Sequence, residues 1–295
     1  MIAMDLVWYV SYGSNMHADR FACYVEGGIP AGGRKSCPGC RDRTPPRQAK
    51  GFEIEGGVYF ATESPVWRGG RAFFDRELPT RAHVRAYLIT RQQFSDVCAQ
   101  EMYRIPGTDP DLDLTEVLAT GRSQLGDGRY ETLVRLGYHD RYPMLTFTAP
   151  WSCGDEPLVP PSGPYLRMLG HGLIDTHGWN LRQTANYLSA LRGVAGVWSS
   201  DEIIPMLYPY VVVTCTSAPD GRIVTTESEH DPADLHDLAE SHGVRRLEVT
   251  GDWANCTRFL AGNLADEFHL RITPEVVLRH EIQRWEVRTR ADLVG

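Results

Sequence analysis

The first residues that could do chemistry form a short turn close to the N-terminus. Residues 6–12, L-V-W-Y-V-S-Y, are rich in β-branched and aromatic side chains and predict a buried strand, which breaks at Tyr12-Gly13-Ser14-Asn15. Glycine permits a sharp bend, and successive backbone N–H groups can then point into one concavity that binds a carboxylate or a developing oxyanion. Ser14 and Asn15 add side-chain donors. A plain strand-to-helix connection with an Asx cap is the alternative, and the turn alone favours it.

Glu101 is a second candidate group, because it follows a stretch with helical spacing. Phe94, Val97 and Cys98 share one side of the helix predicted over 91–104. A carboxylate on a mostly apolar helix face can remove a proton from a substrate and later return it. A solvated helix carboxylate is the ordinary alternative for such a residue.

The turn belongs to a longer motif that resembles a known family. Residues 9–16, Y-V-S-Y-G-S-N-M, resemble the loop aromatic-x-Tyr-Gly-Ser-Asn-Leu/Met of γ-glutamylcyclotransferase-like proteins. Similar segments follow in order at 56–61, G-G-V-Y-F-A, and in the strand at 84–90. In that family a short helix delivers an invariant acidic residue, and the resemblance puts Glu101 in its place. The resemblance also implies a substrate site lined by Tyr12, Gly13, Ser14, Asn15, Met16 and Tyr130.

The resemblance covers about residues 6–150, and it implies a fold. That fold is α+β: a small mixed β-barrel of the γ-glutamylcyclotransferase-like type, followed by helices and a second small α+β domain. Residues 29–50 and 107–128 look longer than a minimal member needs, and Phe147 stands where many members have a tyrosine. These departures concern the substrate more than the fold.

The implied activity is that of a cyclotransferase, an enzyme of the lyase or acyltransferase type that needs neither metal nor cofactor. The α-amine of a γ-glutamyl amide or amine attacks the γ-carbonyl of the same molecule, which releases 5-oxoproline and a free amine. Because the nucleophile is internal, the protein mainly fixes a near-attack geometry, which can supply roughly 7–11 kcal/mol. Glu101 would take a proton from the α-ammonium and return one to the leaving amine.

Two other functions stay open on the same fold. Glu101 can activate water in an amide hydrolase or deacylase, or the turn can hold an anion without turnover, because fold does not fix function. Cys37 and Cys40 form a C-x-x-C pair, but a structural zinc takes four ligands and no second pair follows, so no metal site is predicted. The expected partner is a small-molecule or peptide γ-glutamyl substrate.

Hydropathy patterns predict the elements that must position these groups. Short β-branched and aromatic runs predict a strand-rich domain over 1–155, and helical spacing predicts a helical extension over 156–200. Residues 194–209 read as a linker. An α+β domain of unknown role is expected over 205–295, and it is a candidate surface for a protein partner or for self-association.

Composition bounds the class of protein. The 295 residues are 42% hydrophobic and 23% charged, which is typical of a soluble globular protein with a sizeable core. Residues 201–295 hold nine Arg and no Lys against seventeen Asp and Glu, and no basic face indicates nucleic-acid binding. No membrane span or signal peptide is expected. Seven scattered cysteines are an odd number and favour reduced thiols in the cytoplasm.

Overall fold

The computed structural model describes residues 5–29 and 36–207, together with the backbone of four strands after residue 207. The chain divides into two compact units, Met1–Leu207 and Tyr208–Gly295. The described elements of the first unit are β1 (Leu6–Ser11), a 3₁₀ turn (Ser14–Met16), α1 (Ala18–Glu26), β2 (Gln48–Glu55), β3 (Gly57–Glu63), β4 (Gly70–Asp75), β5 (Arg81–Thr90), α2 (Arg91–Glu101), α3 (Thr115–Thr120), β6 (Arg122–Gln124), β7 (Thr132–His139), β8 (Tyr142–Thr148), α4 (Gly163–His177), α5 (Leu181–Ala190) and α6 (Ser200–Met206).

A six-stranded mixed sheet forms the centre of the first unit, in the order β2-β5-β1-β8-β7-β6. Strand β1 pairs antiparallel with β5 and parallel with β8. Strands β3 and β4 pair with each other in a separate two-stranded sheet. The predicted α+β class is confirmed.

The closed barrel of the prediction is not found among the described strands. The six-stranded sheet is open, with β2 and β6 at its two edges. The β3–β4 hairpin pairs within itself, so it does not join the two edges into a closed wall. The barrel part of the prediction is therefore not confirmed, and the described strands form an open mixed sheet with helices on its faces.

The two faces of β1 are buried in different layers. Side chains alternate along a strand, so Trp8 and Val10 pack in the core that includes α4 and α5. Tyr9, on the other face, packs in the core formed with α1 and α2. A continuous apolar run is what a strand buried on both sides requires. The alternation places Tyr9 and Tyr12 in different cores.

The elements of the first unit that the hydropathy pattern did not predict include β2, β6 and α6. Strand β2 begins at Gln48, inside residues 29–50, whose Gly- and Pro-rich composition predicts a loop, and most of its residues are exposed. Strand β6 lies in the polar segment 107–128. Helix α6 lies in the predicted linker, where the side chains of Ser199 and Glu202 form a reciprocal capping box.

The second unit is described only by the backbone of four strands. They are β9 (Tyr210–Ser217), β10 (Ile223–Thr225), β11 (Glu229–His230) and β12 (Arg246–Gly251), in the sheet order β11-β10-β9-β12. β9 and β10 are antiparallel, and β12 is parallel to β9. The helices predicted for this unit lie outside the described residues.

Candidate active site

The turn after β1 is a short 3₁₀ helix. The backbone N–H of Met16 donates to the carbonyl of Gly13 at 3.0 Å, and that of His17 donates to Ser14 at 3.2 Å. Gly13 has φ −112° and ψ −152°, which is extended backbone open to any residue. The predicted glycine-specific bend is therefore absent. A Cβ at this position would lie 3.4 Å from the hydroxyl oxygen of Tyr165, so Gly13 faces that side chain closely.

Helix α2 carries Glu101 as its last residue. The helix begins at a capping box in which Gln93 N–H donates to Thr90 Oγ1 and Thr90 N–H donates to Gln93 Oε1. Its middle is anchored by Asp96, which is 1% exposed and accepts hydrogen bonds from the backbone and guanidinium of Arg41. At its end, Arg129 Nη2 donates to the carbonyl of Glu101 at 2.7 Å. These contacts fix where the half-buried carboxylate lies.

The turn and the helix meet through one amide side chain. Asn15 Nδ2 donates to Glu101 Oε1 at 3.0 Å and to the hydroxyl oxygen of Tyr9 at 3.2 Å. Tyr87 donates its hydroxyl proton to the backbone carbonyl of Asn15 at 2.8 Å. Asn15 is 3% exposed. The structure therefore brings together two predicted residues that are 86 positions apart in the sequence.

Three buried tyrosines feel the negative charge of Glu101. Burial, followed by the negative charge of Glu101, raises the pKa of Tyr9 and of Tyr24 well above the ordinary value. The same two causes raise the pKa of Tyr165 to about 12, although the charge of Arg20 and then the backbone at Ala72 and Ser14 act to lower it. All three phenols are protonated at neutral pH, so they are available as O–H donors beside a carboxylate.

Arg20 supplies a cation at the same place. Its Nε donates to Ser14 Oγ at 2.8 Å, and its guanidinium lies over the rings of Tyr24 and Trp67, at 5.7 Å and 5.1 Å from their centroids. Burial lowers the pKa of Arg20, but nearby Tyr24 and Glu101 raise it, and the net direction is upward. The predicted Ser14 donor is therefore engaged as an acceptor by a side chain that stays charged.

The other predicted site residues are held differently. Tyr12 is 6% exposed and donates its hydroxyl proton to the carbonyl of Phe147 at 2.9 Å, within the core that includes α4 and α5. Met16 is 2% exposed and packs in that core. Tyr130 is half-buried and donates to the carbonyl of Ala72 at 3.0 Å. Among the described residues, no hydrogen bond joins the side chain of Tyr12 or of Met16 to the Glu101 carboxylate.

Sequence reasoning missed several residues around Glu101. Arg20 and Tyr24 are four positions apart in α1, directly after the motif, so helical spacing puts them on one face. That spacing could have found them. Tyr9 and Tyr12 point to opposite faces of the sheet. Because both faces of β1 are buried, the sequence does not indicate which of the two tyrosines lies on the side of Glu101. Tyr165 lies outside the motif region and has no local sequence signal.

Two other features lie apart from this cluster. A cavity of about 480 Å³ is lined by several acidic residues and by Arg91, at the opposite end of α2 from Glu101. Cys37 and Cys40 form no disulfide within the described part of the chain, and burial raises the pKa of Cys40 to about 12. In the described part of the chain, no group of three or more His, Cys, Asp or Glu could hold a metal ion. None of the described helices is long and apolar enough to cross a membrane.

Known proteins that are similar to this chain include a curated relative and two solved structures. No protein-family model matches the chain. Histone deacetylase 5 of Arabidopsis thaliana is 32% identical over 185 residues, which are 57% of this chain and 28% of that protein. This chain therefore spans less than a third of the length of that relative.

The two solved structures have low sequence identity to the chain. A gamma-glutamyl cyclotransferase is 14% identical with a TM-score of 0.38, covering 68% of this chain and 98% of its own. An uncharacterized human protein is 14% identical with a TM-score of 0.37, covering 69% and 98%. The first bears the name of the family that the N-terminal motif resembles.

Proposed function

We propose that the first unit is a cyclotransferase that converts a γ-glutamyl amide or amine into 5-oxoproline and a free amine. The observation that carries the proposal is the hydrogen bond from Asn15 Nδ2 to Glu101 Oε1. It joins the motif turn to a carboxylate at the end of a separate helix, and it fixes one carboxylate oxygen. The proposed catalytic residue is Glu101, and the turn residues Gly13, Ser14 and Asn15 form the wall beside it.

The proposed reaction needs one base that acts twice. Glu101 takes a proton from the α-ammonium, and the free amine then attacks the γ-carbonyl carbon and forms the ring C–N bond. The amide C–N bond breaks as Glu101 returns the proton to the leaving nitrogen. Because Asn15 holds Oε1, the second oxygen of the carboxylate is the one that we assign to proton transfer.

Arg20 supplies the charge complementarity that such a substrate requires. A γ-glutamyl group carries an α-carboxylate beside its α-ammonium, and Arg20 and Glu101 are the cation and the anion closest to the turn in the contacts described above. We assign Arg20 to steering the substrate carboxylate toward the turn, where guanidinium geometry suits a carboxylate. Tyr130 remains a proposed substrate contact at the rim, where it is half-buried.

A product assay tests the proposal. The full-length protein is incubated with γ-glutamyl peptides, γ-glutamyl amines and glutathione, and mass spectrometry measures 5-oxoproline and glutamate. We expect 5-oxoproline with at least one class of substrate. Free glutamate without 5-oxoproline would instead assign Glu101 to activating water in an amide hydrolase. Binding without either product would leave the turn as an anion-binding module and would contradict the proposal.

The proposed reaction specifies neither the amine portion of the substrate nor a partner of the second unit. The family resemblance concerns only the γ-glutamyl portion. The second unit is a candidate for binding a partner protein or another copy of this chain. Size-exclusion chromatography with light scattering on the full chain measures the latter directly.

A further inference from the structure

Helix α4 reaches the proposed active site from outside the motif region. It lies directly on the turn, because a Cβ at Gly172 would come within 2.7 Å of Met16 Cβ and 2.9 Å of the backbone nitrogen of His17. Only a residue without a side chain permits that approach. The first turn of the same helix carries Tyr165, which therefore ends beside the motif turn.

The ring of Tyr165 is held in one position. Trp67 stacks on it with ring centroids 4.9 Å apart, and Phe60 meets it edge-on at 6.1 Å. The residue is 4% exposed. Its hydroxyl oxygen lies against Gly13, where a Cβ would be 3.4 Å away. A phenol fixed in this way can present its O–H group without the cost of ordering a flexible side chain.

The hydroxyl of Tyr165 lies where the motif alone predicted an anion site. Its oxygen lies against Gly13 in that turn. Burial, followed by the negative charge of Glu101, raises the pKa of Tyr165 to about 12, although Arg20 and the backbone at Ala72 and Ser14 act in the opposite direction. The phenol is therefore protonated throughout the neutral pH range and keeps its O–H group as a donor.

We infer that Tyr165 is a catalytic residue whose hydroxyl donates a hydrogen bond to the γ-carbonyl oxygen of the substrate as that oxygen becomes an oxyanion. This inference rests on the proposed cyclotransferase function and extends it. The ring-closing attack places negative charge on the carbonyl oxygen, while Glu101 accepts the proton of the α-ammonium and returns it to the leaving nitrogen. Donors fixed before the reaction stabilise that charge at no cost of reorganisation. The Tyr165 proton stays on its oxygen throughout, so no further base is needed.

The substitution Tyr165→Phe removes the hydroxyl and keeps the ring between Trp67 and Phe60. The substrate is L-γ-glutamyl-L-alanine. The rate of 5-oxoproline formation by the full chain is measured over a range of substrate concentrations, which gives kcat and KM. We expect kcat to fall about 10²- to 10³-fold, the usual effect of losing one oxyanion donor, and KM to change little. An unchanged kcat in Tyr165→Phe, with an active wild type, would overturn this role alone.

A matched control separates chemistry from packing. Tyr187, on α5, accepts a hydrogen bond from the backbone N–H of His83 and packs against His83 and Trp179. Tyr187→Phe also loses one tyrosine hydroxyl, and we expect it to keep the wild-type kcat. An equal fall in both variants would assign the effect to stability and overturn the inference. If the wild type forms no 5-oxoproline, the proposed function and this inference fail together.

Discussion

At the scale of single residues, Asn15 is the group on which the site depends. It is 3% exposed, and its two amide hydrogens are shared between Glu101 and Tyr9. Its Oδ1 is buried and has no hydrogen-bond partner among the described residues. A buried acceptor without a hydrogen-bond partner costs free energy, so the unpaired Oδ1 calls for a functional explanation. The hydrogen bond from Nδ2 to Glu101 suggests what Asn15 does. We infer that Asn15 positions Glu101.

Replacing Asn15 tests this positioning role. Asn15→Ala removes the donor to Glu101 Oε1, so the carboxylate is free to rotate away from the substrate. We expect kcat for 5-oxoproline formation to fall by about 10- to 100-fold, since small misplacements of a catalytic group have effects of this size. The measurement is steady-state kinetics with L-γ-glutamyl-L-alanine. Wild-type kcat in a folded Asn15→Ala protein would contradict the role.

Tyr12→Phe provides the contrast within the same motif. The Tyr12 hydroxyl donates to the Phe147 carbonyl inside the core, so its loss should lower the free energy of unfolding by about 1 kcal/mol. We expect kcat to stay near that of the wild type. Urea denaturation and the same kinetic assay measure both quantities. A large fall in kcat without a loss of stability would return Tyr12 to the substrate site.

The motif made part of this site predictable. The turn residues and Glu101 followed from the family resemblance, because a loop motif and an acidic helix position are local in sequence. The orientation of Tyr12 did not follow, since β1 is buried on both faces and alternation alone cannot say which face the site uses. Tyr165 could not be predicted, because only the packing of α4 brings it to the turn.

At the scale of elements, helix α4 is fixed to the sheet partly through histidines. His177, its last residue, lies 5.4 Å from the ring of His83 on β5, and His171 is hydrogen-bonded with the carbonyl of Leu207. Burial lowers the pKa of all three imidazoles. Glu53 opposes this effect at His83 and His177. Protonation of these rings is therefore less favourable in the folded protein than in the unfolded chain.

The stability of the first unit should depend on pH for this reason. An unfolded histidine titrates near pH 6.5, and the folded pKa of these rings is lower, so the unfolded state binds more protons below pH 6.5. The histidines therefore do not reduce the free energy of unfolding above pH 6.5. Below that pH the free energy of unfolding falls, until the pH reaches the pKa values of these rings in the folded state. Urea denaturation at pH 8, 7, 6 and 5.5 measures this slope.

His177→Gln identifies the source of that slope. The variant removes one titrating ring at the contact between α4 and β5, so we expect a shallower loss of stability between pH 7 and 5.5 than in the wild type. An unaltered slope would assign the acid sensitivity to carboxylates elsewhere.

Elements with a clear hydropathy period were predicted, and those without one were not. β1, β5 and α2 have apolar runs or helical spacing, and each is present close to its predicted bounds. α4 and α5 lie within residues 156–200, where helical spacing predicts helices. β2 has little apolar alternation because it is an edge strand with mostly exposed residues. α6 is short, and only its Ser199 and Glu202 capping box marks its start.

At the scale of the whole molecule, the chain consists of two compact units, and the proposed site lies entirely in the first. Among the described residues, the hydrogen-bond partners of Glu101 fall within Met1–Leu207. A chain truncated after Leu207 should therefore fold and keep most of the 5-oxoproline-forming activity of the full protein. Circular dichroism and the kinetic assay check this expectation. A folded but inactive truncated protein would assign the second unit a part in catalysis.

The barrel of the prediction is not confirmed at this scale, and closure of a sheet depends on long-range pairing. Whether β3 and β4 pair with each other or join the edges β2 and β6 is decided by contacts far apart in sequence, and local patterns do not record them. The α+β class itself follows from the mixture of strand and helix patterns, and it could be predicted.

The most direct test of the account measures 5-oxoproline formation from L-γ-glutamyl-L-alanine by the wild type and two variants. Glu101→Gln keeps the shape of the side chain and removes its ability to carry a proton. Glu26→Gln makes the same change at the last residue of α1, where the side chain is exposed. We predict that Glu101→Gln keeps the fold and the unfolding temperature of the wild type but forms no 5-oxoproline. We predict that Glu26→Gln matches the wild type in all three properties. Normal 5-oxoproline formation by Glu101→Gln would contradict the central claim.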